Sequence, residues 1–278
     1  MNYERNTQYD IKSAGHLQNK IKLKFSVKIV GMAEIKFPYK NPVIDRTRKF
    51  AQDILLHPLF KIEKHGLTNL EIMKTTPVII PYAIHTGHGD ILFVAHAILE
   101  SGFNQFAIPG AADYWFEDPK MIALANLFAP VFPLPRPSKA EYGSNPLAGF
   151  KDAIKLQMYL IKERRLSLLL SAEGTRTNLP PEDRVFMPGS AYLALKAGVP
   201  IIPATVVGYE TVLPKGTTIP HPFDLNKKGP DKRKVIKVIF GEPLSVTGIK
   251  NTSHNQEELT ENLKQTIVQT YHQYANKT

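Results

Sequence analysis

The chain has 278 residues, with 35 Lys and Arg against 25 Asp and Glu (net charge +10), 43% hydrophobic residues and 22% charged ones. That balance belongs to a folded chain with a sizeable core and excludes intrinsic disorder. Cysteine is absent, which excludes disulfides, zinc–thiolate sites and a thiol nucleophile.

The charge is uneven. Residues 1–50 carry 11 Lys and Arg and 4 acids, so +7 of the total lies in a basic N-terminal extension, and residues 51–278 form the main domain. Within the extension, Ile21-Lys22-Leu23-Lys24-Phe25-Ser26-Val27-Lys28-Ile29 alternates strictly and predicts a strand with lysines on one face. Such a face favours an anionic partner: a phospholipid surface, a nucleic acid or an acidic carrier protein.

Further along, apolar strand-like runs alternate with helical ones, the pattern of an α/β fold with a central, mostly parallel or mixed sheet covered by helices. Pro77 to Ile84 reads as a buried strand, and a helix from about Asp90 to Ser101 is closed by Gly102. Ala107-Ile108 marks another strand. Asp118-Pro119 opens a helix through about Phe128, and Asn145-Pro146 opens a longer one ending near Arg165. Leu166 to Ser171 is a compact strand, Gly189 to Ala197 a helix stopped by Gly198, and Ile201 to Val207 and Val235 to Phe240 are strands. Asn255 to about Tyr274 is an amphipathic helix.

A spanning helix needs about 20 predominantly apolar residues. The apolar stretch from Met121 is broken by Pro130, Pro133, Pro135 and Pro137, so membrane contact is expected to be peripheral. The N-terminus, with Glu4, Arg5 and Asp10, lacks the apolar core of a secretory signal, and a cytoplasmic protein, peripheral on the inner membrane face, is expected.

Chemistry enters at His85-Thr86-Gly87-His88-Gly89-Asp90, between a predicted strand and a predicted helix. A carboxylate at Asp90 can fix His85 in one tautomer and make it a better base toward a hydroxyl. The bland alternative is a helix-capping Asp90 beside a loop histidine, and the H-x4-D spacing alone does not decide between them. Metal binding by His85, His88 and Asp90 is disfavoured, because the two histidines stand three apart in a Gly-interrupted loop. His96, inside the apolar run Ile91 to Leu99, reads as a packing residue.

A second constellation, Ser171-Ala172-Glu173-Gly174-Thr175-Arg176-Thr177, follows the strand at Leu166 to Leu170. Its turn can offer backbone N–H groups and Arg176 to a phosphate, while a Glu173–Arg176 ion pair is the plainer reading. Between the two lies Phe132-Pro133-Leu134-Pro135-Arg136, whose arginine is available to the same anion.

In order and spacing these residues resemble the glycerolipid acyltransferases, which include glycerol-3-phosphate and 1-acylglycerol-3-phosphate acyltransferases. His85/Asp90, Arg136, Glu173-Gly174-Thr175-Arg176 and Val199-Pro200-Ile201-Ile202-Pro203 stand in that family's order, and the likeness covers residues 77–245. Ile84 stands where an asparagine often precedes the histidine, Ser171-Ala172 replaces phenylalanine-proline, and the glycine-rich lead-in to the second segment is missing.

The resemblance implies transfer of an acyl group from acyl-CoA or acyl carrier protein to a hydroxyl of a glycerol-phosphate or lysophospholipid acceptor. His85 would be the general base, Asp90 its orienting partner, and Arg136 and Arg176 the phosphate ligands, with Glu173, Gly174 and Thr175 shaping the pocket. It implies no metal and no cofactor beyond the thioester donor. Backbone N–H groups near Gly87, Gly89 or the following helix are the expected oxyanion donors. A nucleic-acid-binding protein would explain the charge but leaves these motifs unexplained, so nucleic acid is not expected as a partner.

Overall fold

The computed structural model describes residues 25–27, 35–37, 42–87, 89–116, 118–134, 146–213 and 219–276. Strands β1 (Phe25–Val27) and β2 (Ile35–Phe37) pair antiparallel in a small sheet of their own, so part of the alternating Ile21–Ile29 run is strand, as its period predicts. The chain continues through α1 (Pro42–Leu56), β3 (Phe60–His65), a 3-10 segment at Leu67–Lys74, β4 (Ile79–Ala83) and α2 (Asp90–Glu100). Next come β5 (Phe106–Ala111), a helical turn α3 (Ala112–Trp115), α4 (Pro119–Phe128), β6 (Val131–Leu134) and α5 (Pro146–Lys162). Last are β7 (Ser167–Ser171), α6 (Gly189–Ala197), β8 (Ala204–Val207), β9 (Lys234–Phe240) and α7 (Ser253–Ala275).

Seven strands form one sheet in the order β3-β9-β8-β4-β7-β5-β6. Every neighbouring pair is parallel except β8 with β9, so β4 to β8 run one way and β3 and β9 the other. This is the expected mixed α/β sheet. The central strands β4 and β8 are buried along their whole length, which is why their sequences are continuous apolar runs instead of alternating ones. The Val199–Pro203 motif feeds the same core: Ile201 and Ile202 are fully buried, and Ile201 bridges Ile79 of β4.

Two of the predicted caps form, and Asn145 lies outside the described residues. The Asp118 side chain accepts from the Lys120 N–H at 2.8 Å, and the Gly198 N–H closes α6 on the Ala194 carbonyl at 2.8 Å. The elements not expected from the sequence include α1, β3 and β6. β3 and β6 are edge strands, β3 with only Phe60 buried and β6 carrying Pro133, a residue tolerated at a sheet edge. α1 buries polar residues alongside Leu56. Its inward residues include Arg48 and Gln52, which donate to the Asn126 and Phe128 carbonyls at the end of α4, while Val43, Phe50 and Ile54 face outward. Among the described residues, no helix is long and apolar enough to cross a membrane.

Candidate active site

In a sheet of this kind, ligands collect in the crevice beyond the carboxyl ends of parallel strands. β4 ends there, between β7 and β8, and delivers residues 84–90 into the crevice. Ile84 leaves the strand at φ +69°, in the left-handed region. For a β-branched residue that conformation costs about 1–3 kcal/mol and persists only where the surroundings impose it. Here the imposing group is Glu173. Its Oε1 accepts the N–H of Ile84 at 2.8 Å and of His85 at 3.0 Å, and the turn after β7 returns a third bond, Thr177 N–H to the His85 carbonyl at 3.1 Å.

The turn at Gly87 to Gly89 brings Asp90, the first residue of α2, back over the histidine. His85 Nδ1 lies 3.0 and 2.9 Å from the two Asp90 oxygens, and Asp90 Oδ2 also accepts the N–H groups of Thr86 (3.0 Å) and Gly87 (3.2 Å). The Asp90 side chain is fully buried and that of His85 is 13% exposed. An ionised carboxylate only accepts, so the imidazole proton sits on Nδ1 and the lone pair on Nε2. H-x4-D spacing therefore yields a built pair and not merely a helix cap.

Two buried tyrosines that sequence reasoning passed over complete the surroundings. Tyr82 places its hydroxyl 3.3 Å from His85 Nδ1, on the Asp90 side of the ring. Burial, with the carboxylates of Asp90 and Glu173, pushes its pKa well above the usual range and keeps it a donor. Tyr209, just beyond β8, packs its ring against the Gly87–Gly89 turn, and its hydroxyl is pushed up to about 12 by burial and by Asp90. A Cβ at Gly89 would lie 2.3 Å from that hydroxyl and one at Gly87 3.0 Å from the same ring, so both glycines answer to close approach. The Gly87 N–H is taken by Asp90, which removes it from the expected oxyanion donors.

In the second loop, Glu173 pairs with Arg184 and not with Arg176. The Arg184 guanidinium donates to Glu173 Oε2 at 2.9 Å with both residues 3% exposed, and it also donates to the Leu179 carbonyl at 2.9 Å. Both Glu173 oxygens thus serve its own chain, and this residue braces the histidine loop instead of facing a substrate. Gly174 sits at φ +66°, as a tight turn requires, and Thr175 and Arg176 are exposed beside Thr177. No hydrogen bond or ion pair to the Arg176 guanidinium occurs among the described residues, and Thr177 ties its turn to the His85 loop. His88 and Arg136 lie outside the described residues. Beside the same loop a cavity of about 290 Å³ is lined by Ile84, Thr86, Leu179, Arg184, Glu210 and Tyr271.

His85, Asp90 and the Arg176 turn all fall inside residues 61–207, the stretch matched by the sequence model of the acyltransferase family. No curated protein matches the chain in sequence. Among solved structures it is similar to the 1-acyl-sn-glycerophosphate (LPA) acyltransferase PlsC from Thermotoga maritima. The TM-score is 0.51 with 16% identity, over 84% of this chain and 78% of that one. At that identity the likeness is one of fold.

Proposed function

The chain belongs to the acyltransferase family, and from that premise we propose that it moves a fatty acyl group from acyl-CoA or acyl carrier protein to a hydroxyl of a glycerol-phosphate or lysophospholipid acceptor. The observation that carries this reading is the His85–Asp90 pair, with Nδ1 held at 2.9 Å by a buried carboxylate at the end of a central parallel strand.

In this reaction Nε2 of His85 takes the acceptor's hydroxyl proton as the oxygen attacks the thioester carbonyl carbon. The C–O bond forms, the electron pair moves to the carbonyl oxygen, and its return breaks the C–S bond. The departing thiolate takes the proton from the imidazolium as thiol. Asp90 holds the ring in the required tautomer and stabilises the imidazolium meanwhile. No covalent acyl-enzyme is required, in keeping with a chain that has no cysteine. Arg176, exposed and free of a carboxylate partner among the described residues, serves the acceptor's phosphate, with Arg136 as its partner in that task. A lipid acceptor also calls for contact with an anionic membrane surface, which the basic residues 1–50 would supply.

The test is acyl transfer by the purified protein from labelled acyl-CoA to glycerol 3-phosphate and to a panel of lysophospholipids, with thiol release followed and products identified by mass. His85→Ala should lower the rate at least about 100-fold while the circular dichroism spectrum is unchanged. Wild-type turnover in that variant would refute the assignment of the base.

A further inference from the structure

Away from the β4 crevice, α1 and α2 bring three side chains of a different kind together. Asp53 and His57, one helical turn apart, face His96 of α2, and their ligating atoms all lie within 4.8 Å of one another. His96 Nε2 is 2.9 Å from Asp53 Oδ1, His57 Nε2 is 3.4 Å from that same oxygen, and the two imidazole rings stand edge to face with centroids 5.1 Å apart.

His96, read from sequence as simple packing, is wholly buried, and its Nδ1 has no hydrogen-bond partner. Another carboxylate oxygen, Glu100 Oε2, stands 3.6 Å from Nδ1. A neutral imidazole has one N–H and one lone pair. With a carboxylate at each nitrogen, whichever nitrogen carries the lone pair faces negative charge, and burial of the ring disfavours the imidazolium that would satisfy both.

A divalent cation beside Nε2 removes this conflict. It accepts the Nε2 lone pair and Asp53 Oδ1 together, and it leaves the proton on Nδ1 directed at Glu100. A ligating histidine backed by a carboxylate is the usual outer-shell arrangement at zinc. Asp53 Oδ2 is already neutralised by Lys49 at 2.6 Å, and Lys64 pairs with Glu100, so both carboxylates are held in place. We propose that Asp53, His57 and His96 bind one zinc ion that clips α1 to α2, with Glu100 orienting His96. Two imidazoles and one carboxylate suit zinc and leave a coordination position toward the half-exposed His57 side. The sequence hid this set because its residues fall 43 positions apart, in an unexpected helix and an apolar one.

The proposal is independent of the acyl-transfer reading, and its test needs no turnover. Untagged full-length protein is stripped with EDTA, dialysed and titrated with zinc sulfate by calorimetry, with thermal midpoints measured at each zinc level. The wild type should take up one equivalent and its midpoint should rise with free zinc, as ligand binding to the native state requires. His57→Ala, at an exposed position, should fold normally yet bind at least tenfold more weakly and lose the shift. Glu100→Gln should weaken binding about 10- to 100-fold, as losing an outer-shell partner does. Cobalt(II) should give tetrahedral visible absorption in the wild type and none in His57→Ala. No zinc-dependent midpoint shift in the wild type, or equal zinc affinity and stoichiometry in His57→Ala, would overturn the site.

Discussion

Removing Glu173 tests whether the two sequence motifs are one physical unit. Glu173→Ala leaves the Ile84 and His85 N–H groups without an acceptor and the Arg184 guanidinium buried without a counter-charge, at 3% exposure. Breaking a buried pair from one side costs about 3–5 kcal/mol. Release of the left-handed Ile84 would return about 1–3 kcal/mol, so the loss wins, by about 2 kcal/mol. At about 2–4 °C per kcal/mol for a chain of this size, the melting midpoint should fall by roughly 4–8 °C. Glu173→Leu combined with Arg184→Met removes both charges and should be more stable than Glu173→Ala, because a buried pair replaced by apolar groups is often close to neutral. It should nevertheless remain slow in acyl transfer, since the two N–H groups that set the His85 loop still lack their acceptor. Urea unfolding with thiol-release kinetics on the wild type and the two variants measures both quantities. A Glu173→Ala protein within 0.5 kcal/mol of wild type, or a double variant that recovers stability and rate together, would refute the bracing role.

Two further outcomes follow from charge. Arg176→Lys should raise the KM for a phosphorylated acceptor while leaving the KM for the thioester nearly unchanged, because an ammonium cannot reproduce a bidentate guanidinium contact; a change confined to the donor KM would reverse the pocket assignment. Replacing Lys20, Lys22, Lys24 and Lys28 with Gln should weaken sedimentation with anionic vesicles several-fold at low salt, at on the order of 1 kcal/mol per lysine near the surface. Turnover of a water-soluble acceptor should persist in that variant, and unchanged vesicle binding would direct attention to the second basic cluster at Lys227 to Lys237.

What the sequence reveals depends on whether a residue's environment is set by near neighbours. β7 and β8 are bounded apolar runs, and α4 and α6 carry their own start and stop residues, so each is legible locally. β3 and β6 are legible only as partners at the two edges of the sheet, since their exposed or proline-bearing sequences look like connections. α1 turns Arg48 and Gln52 inward because carbonyls at the end of α4 await them, and that reason lies some 76 residues away in the chain. Hydrophobic periodicity cannot announce a helix whose buried face is polar.

The same distinction divides the active site. His85 and Asp90 belong to one turn, and their pairing follows from a strand end and a helix start placed five residues apart. Arg184 has no local signal pointing to Glu173, and Tyr82 is indistinguishable in sequence from the buried strand that carries it. The departure at position 84 then gains a physical meaning. An asparagine there enters the left-handed region readily, whereas isoleucine resists it, so this chain depends more heavily on the Glu173 carboxylate to hold the histidine's backbone in place. The glutamate of the E-G-T-R motif and the histidine of the H-x4-D motif, 88 positions apart, are joined by a bond at 3.0 Å. Their joint presence in the sequence is therefore one requirement, that the backbone carrying the proposed base stand still at the end of β4.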